Sequence, residues 1–298
     1  MRANIVVGID GSVPSRAALE WSITRAKVTG ESVELLCVVD YPLETQSDAF
    51  VSNAVHHANE LLTSEAAFAR EYGIAVTTHL THGDPFDGLV TASRSADIVV
   101  VGTHKTGFIQ GRSIGSRFMG LAAMSRCPIA FIPNVSLISR RGVSLALDDS
   151  PTGRRAAVFA ATEAERLGQR LTLLHAEPWH VDPAESAKAR TERELVTASQ
   201  TRTLISKQLA PLTDAHPSLA TKSVSTRKSL AVESIDASMT AALVVISHPQ
   251  ARASIGSDAG RFVHDVILNL GGPVVVVPRI DADGEPAHAR GHSALPNE

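Results

Sequence analysis

The chain has 298 residues, 44% of them hydrophobic and 20% charged, with a formal net charge of -3. At roughly 150 residues per domain the length predicts two domains, each with enough apolar material for a core. The near-neutral balance gives no electrostatic reason to expect nucleic acid as a partner. No apolar run approaches the ~20 residues of a membrane span, and no signal peptide fits the start at Met1-Arg2-Ala3-Asn4. With Cys37 and Cys127 inside or beside apolar runs, two buried thiols in a reducing compartment are expected, and a cytoplasmic location with them.

In chain order, Ile5-Val6-Val7-Gly8-Ile9 reads as a short strand ending in the turn and helix-entry signal Asp10-Gly11-Ser12. A helix from about Pro14 carries Leu19, Ile23 and Ala26 on one stripe. Val33 to Val39 is the next strand, and Val51, Val55, Ala58 and Leu62 mark a second helix. Ile74 to Leu80 reads as a strand and Phe86 to Ser95 as a third helix. The apolar strand Ile98 to Val101 opens a glycine-rich loop from Gly102 to Gly115. A helix to about Ser125 and the strand Ile129 to Ile132 follow. β-branched runs alternating with helical periodicity predict an α/β fold, a doubly wound, five-stranded parallel sheet flanked by helices.

After a polar linker, Asn134 to Gly142, the pattern restarts. Asp148-Asp149-Ser150-Pro151 follows Val143 to Leu147 as Asp10-Gly11-Ser12 follows Ile5 to Ile9, 138 positions on. Arg170 to Glu177 echoes the second strand, Asp182 to Ala210 the long helix, and Leu243 to Ile246 the strand at Ile98. Pro273 to Pro278 repeats Pro128 to Pro133 at an offset of 145. An offset that drifts so little over a whole domain indicates internal duplication. The expected domains are 1–134 and 143–279, with 281–298 a disordered tail.

Ligands of doubly wound sheets bind beyond the carboxyl ends of the strands, where the strand order reverses. The turn at Asp10 and the loop after Val101 meet there. In that loop Gly102, Gly107, Gly111 and Gly115 let backbone amides approach an anion. Ser116, at the start of the next helix, adds the helix N-terminus, and Lys105, Arg112 and Arg117 add positive charge. A mobile, solvated loop is the plainer alternative. The spacing Gly102-x4-Gly107 matches the opening of a Walker loop, but Phe108 and Ile109 stand where its Lys and Ser/Thr belong. No Gly-x-Gly-x-x-Gly and no Cys-x-x-Cys occurs. His56, His57 and Glu60 could approach a metal from one helix, though a solvated face explains them as well. His175 aligns with Cys37 as a wall residue.

These motifs resemble the universal stress protein family. Its nucleotide-binding members follow the fourth strand with Gly-x2-Gly-x9-Gly-Ser/Thr. Here Gly102 takes the first place, Lys105 the second, and Gly115-Ser116 the last two. The Asp-Gly-Ser turn and Cys127-Pro128 before the last strand share the likeness, which covers about residues 3–133 and 143–279. The resemblance implies a nucleotide-binding α-hydrolase-like fold and ATP or a related adenine nucleotide as a regulatory ligand in the first domain. By position, Gly8, Ile9 and Asp10 would lie beside the nucleoside, with Asp10 near ribose or Mg²⁺. Val38 would offer its backbone to adenine, and Val101 and Gly102 would line base and ribose. Gly115, Ser116 and Arg117 would hold the phosphates, with Lys105 reaching them as a point charge.

The second half keeps one of the four motif positions. Ser247 and Gln250 replace the glycines, Gly260 survives, and Arg261 replaces Ser/Thr, while Gly256-Ser257 is out of register. This half is expected to be structural or regulatory, though Arg252 and Arg261 leave an anion site open. The resemblance further implies a stress-response role, an unidentified protein partner, and pairing of the last strands into a pseudo-dimer within the chain, with a homodimer beyond it. No dedicated base or nucleophile is placed by the sequence, so slow ATP hydrolysis is the most activity expected. A nucleotide-independent partner-binding protein is the rival reading. An enzyme of the related nucleotide-hydrolase folds would need a Ser-Gly-Gly-x-Asp loop after the first strand, which Asp10 to Pro14 does not supply.

Overall fold

The computed structural model describes residues 5–40, 48–103, 108–109, 112–177, 187–248 and 258–279. The chain divides into two compact units, one made of residues up to Ser136 together with those from Pro273 onward, the other of Leu137–Gly272.

In the first unit the chain runs β1 (Ile5–Gly8), α1 (Val13–Thr29), β2 (Val33–Val39), α2 (Asp48–Arg70), β3 (Val76–His82), α3 (Pro85–Ala92) and β4 (Ile98–Thr103). Two short strands, β5 (Phe108–Ile109) and β6 (Arg112–Ser113), precede α4 (Ile114–Met124) and β7 (Ile129–Pro133). The sheet order is β7-β4-β1-β2-β3, all parallel. β1 pairs β2 on one side and β4 on the other, so the strand order reverses between β1 and β4. Ile5, Val7, Ile98, Val99, Val100 and Ile129 are wholly buried. That is why these runs read as unbroken apolar stretches.

β12 (Val274–Val277) joins this same unit as an antiparallel strand beside β7, with Val274 opposite Phe131 and Val276 opposite Ile129. The sixth strand of the first unit is therefore supplied from the far end of the chain, and every β12 residue is buried.

The second unit contains β8 (Val143–Ala146), α5 (Pro151–Arg166), β9 (Leu171–Ala176), α6 (Ala187–Ala215), β10 (Thr221–Thr226), α7 (Leu230–Ser238), β11 (Leu243–Ser247) and α8 (Asp258–Asn269). Its strands run β10-β9-β8-β11, all parallel. Ile5 and Val143 hold matching positions, paired with Ile98 and Leu243. His175, on β9 where Cys37 stands on β2, is half-buried, and burial holds its pKa below the usual value.

Several expected boundaries shift. The third helix starts at Pro85, because Asp84 caps it, and stops at Ala92. The long helix of the second half runs to Ala215, five residues past the expected Ala210. Part of the expected glycine-rich loop is the antiparallel pair β5–β6, and the helix after it starts at Ile114, two residues before Ser116. Lys105, Gly107, Gly111, Gln250, Arg252, Gly256, Ser257 and the tail 281–298 lie outside the described residues. No helix among the described residues is long and apolar enough to cross a membrane.

If β12 is integral to the first unit, Val275→Lys should destabilise the protein by roughly 3 kcal/mol or more, because an ammonium would replace a fully buried methyl pair. Thermal melting checks this, and an unchanged midpoint would refute the placement of β12.

Candidate functional site

The site begins where β1 stops. The Ile9 N–H donates to Leu36 O across to β2 at 2.8 Å, which carries the pairing one residue past the strand. Asp10 then turns outward and is exposed. Its Oδ1 accepts the Ser12 N–H at 2.9 Å, an Asx turn, and Gly11 takes φ 77° to close it. Ser12 caps α1, its Oγ accepting the Ser15 N–H at 3.2 Å, while the Ser15 Oγ donates to Ser12 O at 2.9 Å. The Asp-Gly-Ser signature is thus an Asx turn feeding an N-cap, and it leaves the Asp10 carboxylate facing solvent.

A cavity of about 330 Å³ opens at this point. Its walls include Gly8, Ile9, Asp10, Val38, Val101 and Gly102, six of the ten residues expected to form a site. Gly115 and Ser116 lie in the first turn of α4, and Arg117 follows them. Arg117 is exposed and engaged, its Nη2 donating to Asp84 Oδ2 at 3.3 Å. Such a pair is worth at most about 1 kcal/mol, so it positions the guanidinium weakly.

The remaining walls were not singled out from the sequence. Ser12, Ser15 and Leu36 belong to the first strand–helix unit and β2, while Pro85 and Leu89 come from α3 and Phe118 from α4, helices the sequence predicted without placing them at the site. Gly83-Asp84-Pro85 carried a readable signal for the α3 wall. Gly83 has φ 117°, Asp84 Oδ1 caps the helix by accepting the Phe86 N–H at 2.7 Å, and Pro85 starts it. α3 lies close on β2, since a Cβ on Gly88 would stand 2.7 Å from Val38 Cγ2. Phe118 is held edge-on to Phe131, with ring centroids 5.5 Å apart.

Helix packing gives Gly102 a reason to be glycine that the sequence reading did not raise. A Cβ there would stand 2.2 Å from the carbonyl carbon and oxygen of Pro14 and 2.6 Å from Ser15 N. The residue is small so that α1 can rest on the end of β4. On Gly8 a Cβ would meet Leu89 Cδ2 at 3.3 Å, a milder version of the same constraint.

Behind the turn, Arg16 on α1 pairs with Glu65 on α2 at 3.0 Å and lies over the Phe68 ring at 4.2 Å. Glu65 is buried, and burial raises its pKa although Arg16 pulls the other way. A carboxyl whose folded pKa lies above its unfolded value adds stability in acid, and this is lost as pH rises through the folded pKa. Glu65→Gln should therefore raise the melting temperature at pH 7.5 and leave it unchanged near pH 4. An equal shift at both values would show that the effect is not titration.

The thiols have no chemistry to offer the site in their folded setting. Burial pushes Cys127 up to about 12 and raises Cys37, with the Asp10 charge adding to the latter. At pH 8 both should resist iodoacetamide in the native protein and react within minutes in denaturant. Rapid native labelling would contradict their burial.

His56 Nε2 and His57 Nδ1 pair with Glu60 at 3.2 and 3.5 Å on an exposed face of α2. Among the described residues no group of three or more His, Cys, Asp or Glu stands close enough to hold a metal. In the second unit Ser247 ends β11, and Gly260 and Arg261 lie in the first turn of α8.

The Universal stress protein family profile matches this sequence twice, over residues 1–133 and 140–278. The chain belongs to the universal stress protein family. A universal stress protein of Mycobacterium tuberculosis is 27% identical over 307 residues, spanning 94% of this chain and 96% of that one. Among solved structures, a universal stress protein from Archaeoglobus fulgidus matches with a TM-score of 0.69 at 18% identity, covering 93% of this chain and 96% of that one. A functionally unknown protein from Pseudomonas aeruginosa matches at 0.58 and 15% identity, with 92% of each chain covered. These two likenesses establish the two-domain α/β fold of the family.

Proposed function

We propose that the cavity of the first unit binds an adenine nucleotide, ATP or a close relative, as a regulatory ligand in a stress response. The observation that carries this reading is the position and chemistry of the cavity. It sits at the strand-order reversal, where β1, β2 and β4 end around Asp10, Val38 and Gly102. About 330 Å³ lies at the small end of the range of ligand pockets, and Leu36, Val38, Leu89 and Phe118 supply flat apolar walls for a base. Asp10, a carboxylate on the wall, has a single donor among the described residues, Ser12 N–H, which leaves acceptor sites for ribose hydroxyls. An exposed hard oxygen also fits Mg²⁺, which takes one or two protein carboxylates and fills its other positions with water and phosphate. Such an ion would neutralise phosphate charge. The N-terminal turn of α4, with Gly115 and Ser116, would receive the phosphates, and Arg117 would reach them by leaving Asp84.

A binding role suits these walls better than turnover. A hydrolase needs a base aligned on water, and among the described residues Asp10 is the sole titratable one on the wall. The ligand would act by its differential affinity for conformations that a protein partner also distinguishes.

Titration calorimetry with ATP, with and without Mg²⁺, should give about one nucleotide per chain. Asp10→Ala should weaken binding by roughly tenfold or more, as expected for losing a charged hydrogen-bond acceptor. Gly115→Glu should abolish binding by placing a carboxylate at the phosphate end. Two nucleotides per chain would mean that the second unit also binds. No binding by the unmodified protein would overturn the reading in favour of a nucleotide-independent partner-binding protein.

A further inference from the structure

The two units differ at the residues around the Asp10 turn and the end of β4. Strand register aligns Ile5 with Val143 and Ile98 with Leu243, so Asp10, Ser15 and Gly102 correspond to Asp148, Gly153 and Ser247. At the last two positions glycine and serine have changed places.

That exchange has a geometric consequence. In the first unit α1 rests on Gly102, where no Cβ fits, and Ser15 has room for its hydroxymethyl group. In the second unit the point of closest approach lies elsewhere. A Cβ on Gly153 would stand 2.0 Å from Asp148 O, so the first turn of α5 is crowded against the turn itself. The end of β11 can then carry a side chain. Ser247 uses the room, its Oγ donating to Asp148 Oδ2 at 2.8 Å from a buried position. The same Oδ2 accepts the Ser150 hydroxyl, and Oδ1 accepts the Ser150 N–H at 3.0 Å. Asp10, by contrast, takes one donor among the described residues.

The long helix α6 reinforces this arrangement. Gln208, itself buried, donates to Asp148 O at 3.3 Å, and Lys207 Nζ spans both oxygens of Asp149 at 3.1 Å. Three of the roughly four lone-pair directions of the Asp148 carboxylate are thus committed within the unit.

We infer that the second unit is closed by an internal latch, Ser247 to Asp148, which ties the end of β11 to the β8–α5 turn and was made possible by the exchange of glycine and serine. The latch joins the β8–α5 turn to the end of β11, the two places that a ligand at this point of the fold would join. The second unit's turn and strand end are therefore held together by its own side chains. Its turn stays ordered without any small molecule, and its carboxylate is not offered to one. This holds whether or not the first unit binds a nucleotide.

The test uses the full chain without nucleotide. Ser247→Ala removes the hydroxyl and keeps the Cβ. Amide exchange measured by mass spectrometry over residues 148–153 should accelerate about tenfold, while residues 10–16 exchange as before. Unchanged exchange over 148–153 would overturn the latch. A second arm addresses the exchange of residues. Gly153→Ser alone should lower the melting temperature sharply, since its Cβ meets a backbone carbonyl. Adding Ser247→Gly should recover part of that loss by letting α5 settle on β11 as α1 does on β4. Strictly additive losses would show that the two positions are not coupled, and the exchange argument would fail.

Discussion

The first unit is organised by one parallel pairing, β1 beside β4, at which the chain stops adding strands on one side and begins on the other. Both strands are sealed on both faces, so their side chains must be compact and apolar, and polar chemistry is expelled to the residues just past their ends. The Asp10 turn and the end of β4 are those residues. The separation between them is set by a backbone contact, α1 against Gly102, which brings the helix as near to the strand as a missing side chain permits. The cavity lies between the Asp10 turn and the end of β4, where α1 has been drawn in against the strand.

Much of this was legible in the sequence. Unbroken apolar runs announced β1, β4 and β7, and the Asp-Gly-Ser turn announced the start of α1. Six of the ten site residues that the family resemblance implies lie on the cavity wall, all at or beside strand ends. Pro85, Leu89 and Phe118 escaped because their presence depends on where α3 and α4 pack, and helix periodicity does not say which strand end a helix will face. The part of the loop assigned to β5–β6 escaped for another reason. The paired segments, Phe108-Ile109 and Arg112-Ser113, are two residues each, too short for an alternating pattern to mark them as strands.

Glycine carried two meanings that composition alone does not separate. In a phosphate-binding context Gly102 invites the reading that a ligand comes close; in the folded chain a helix also comes close there. The second unit makes the distinction concrete. With the crowding transferred to Gly153, a serine is accommodated at the end of β11 and finds the nearest carboxylate. Two copies of one design thus diverged through where the first turn of a helix rests. Substitution of a motif glycine is then evidence about packing before it is evidence about ligands.

The strand β12 has a bearing on how the protein is made. Val276 lies opposite Ile129, so the sixth strand of the first unit emerges from the ribosome well over a hundred residues after the strand it covers. At translation rates of about 5–20 residues per second, β7 waits roughly 7–30 s with an apolar edge open. The nascent chain spends that interval as a nearly finished domain with a bare flank, in the presence of every other chain on the same message. A chaperone able to shield an extended hydrophobic edge for tens of seconds would serve this protein more than one that acts on collapsed, misfolded forms.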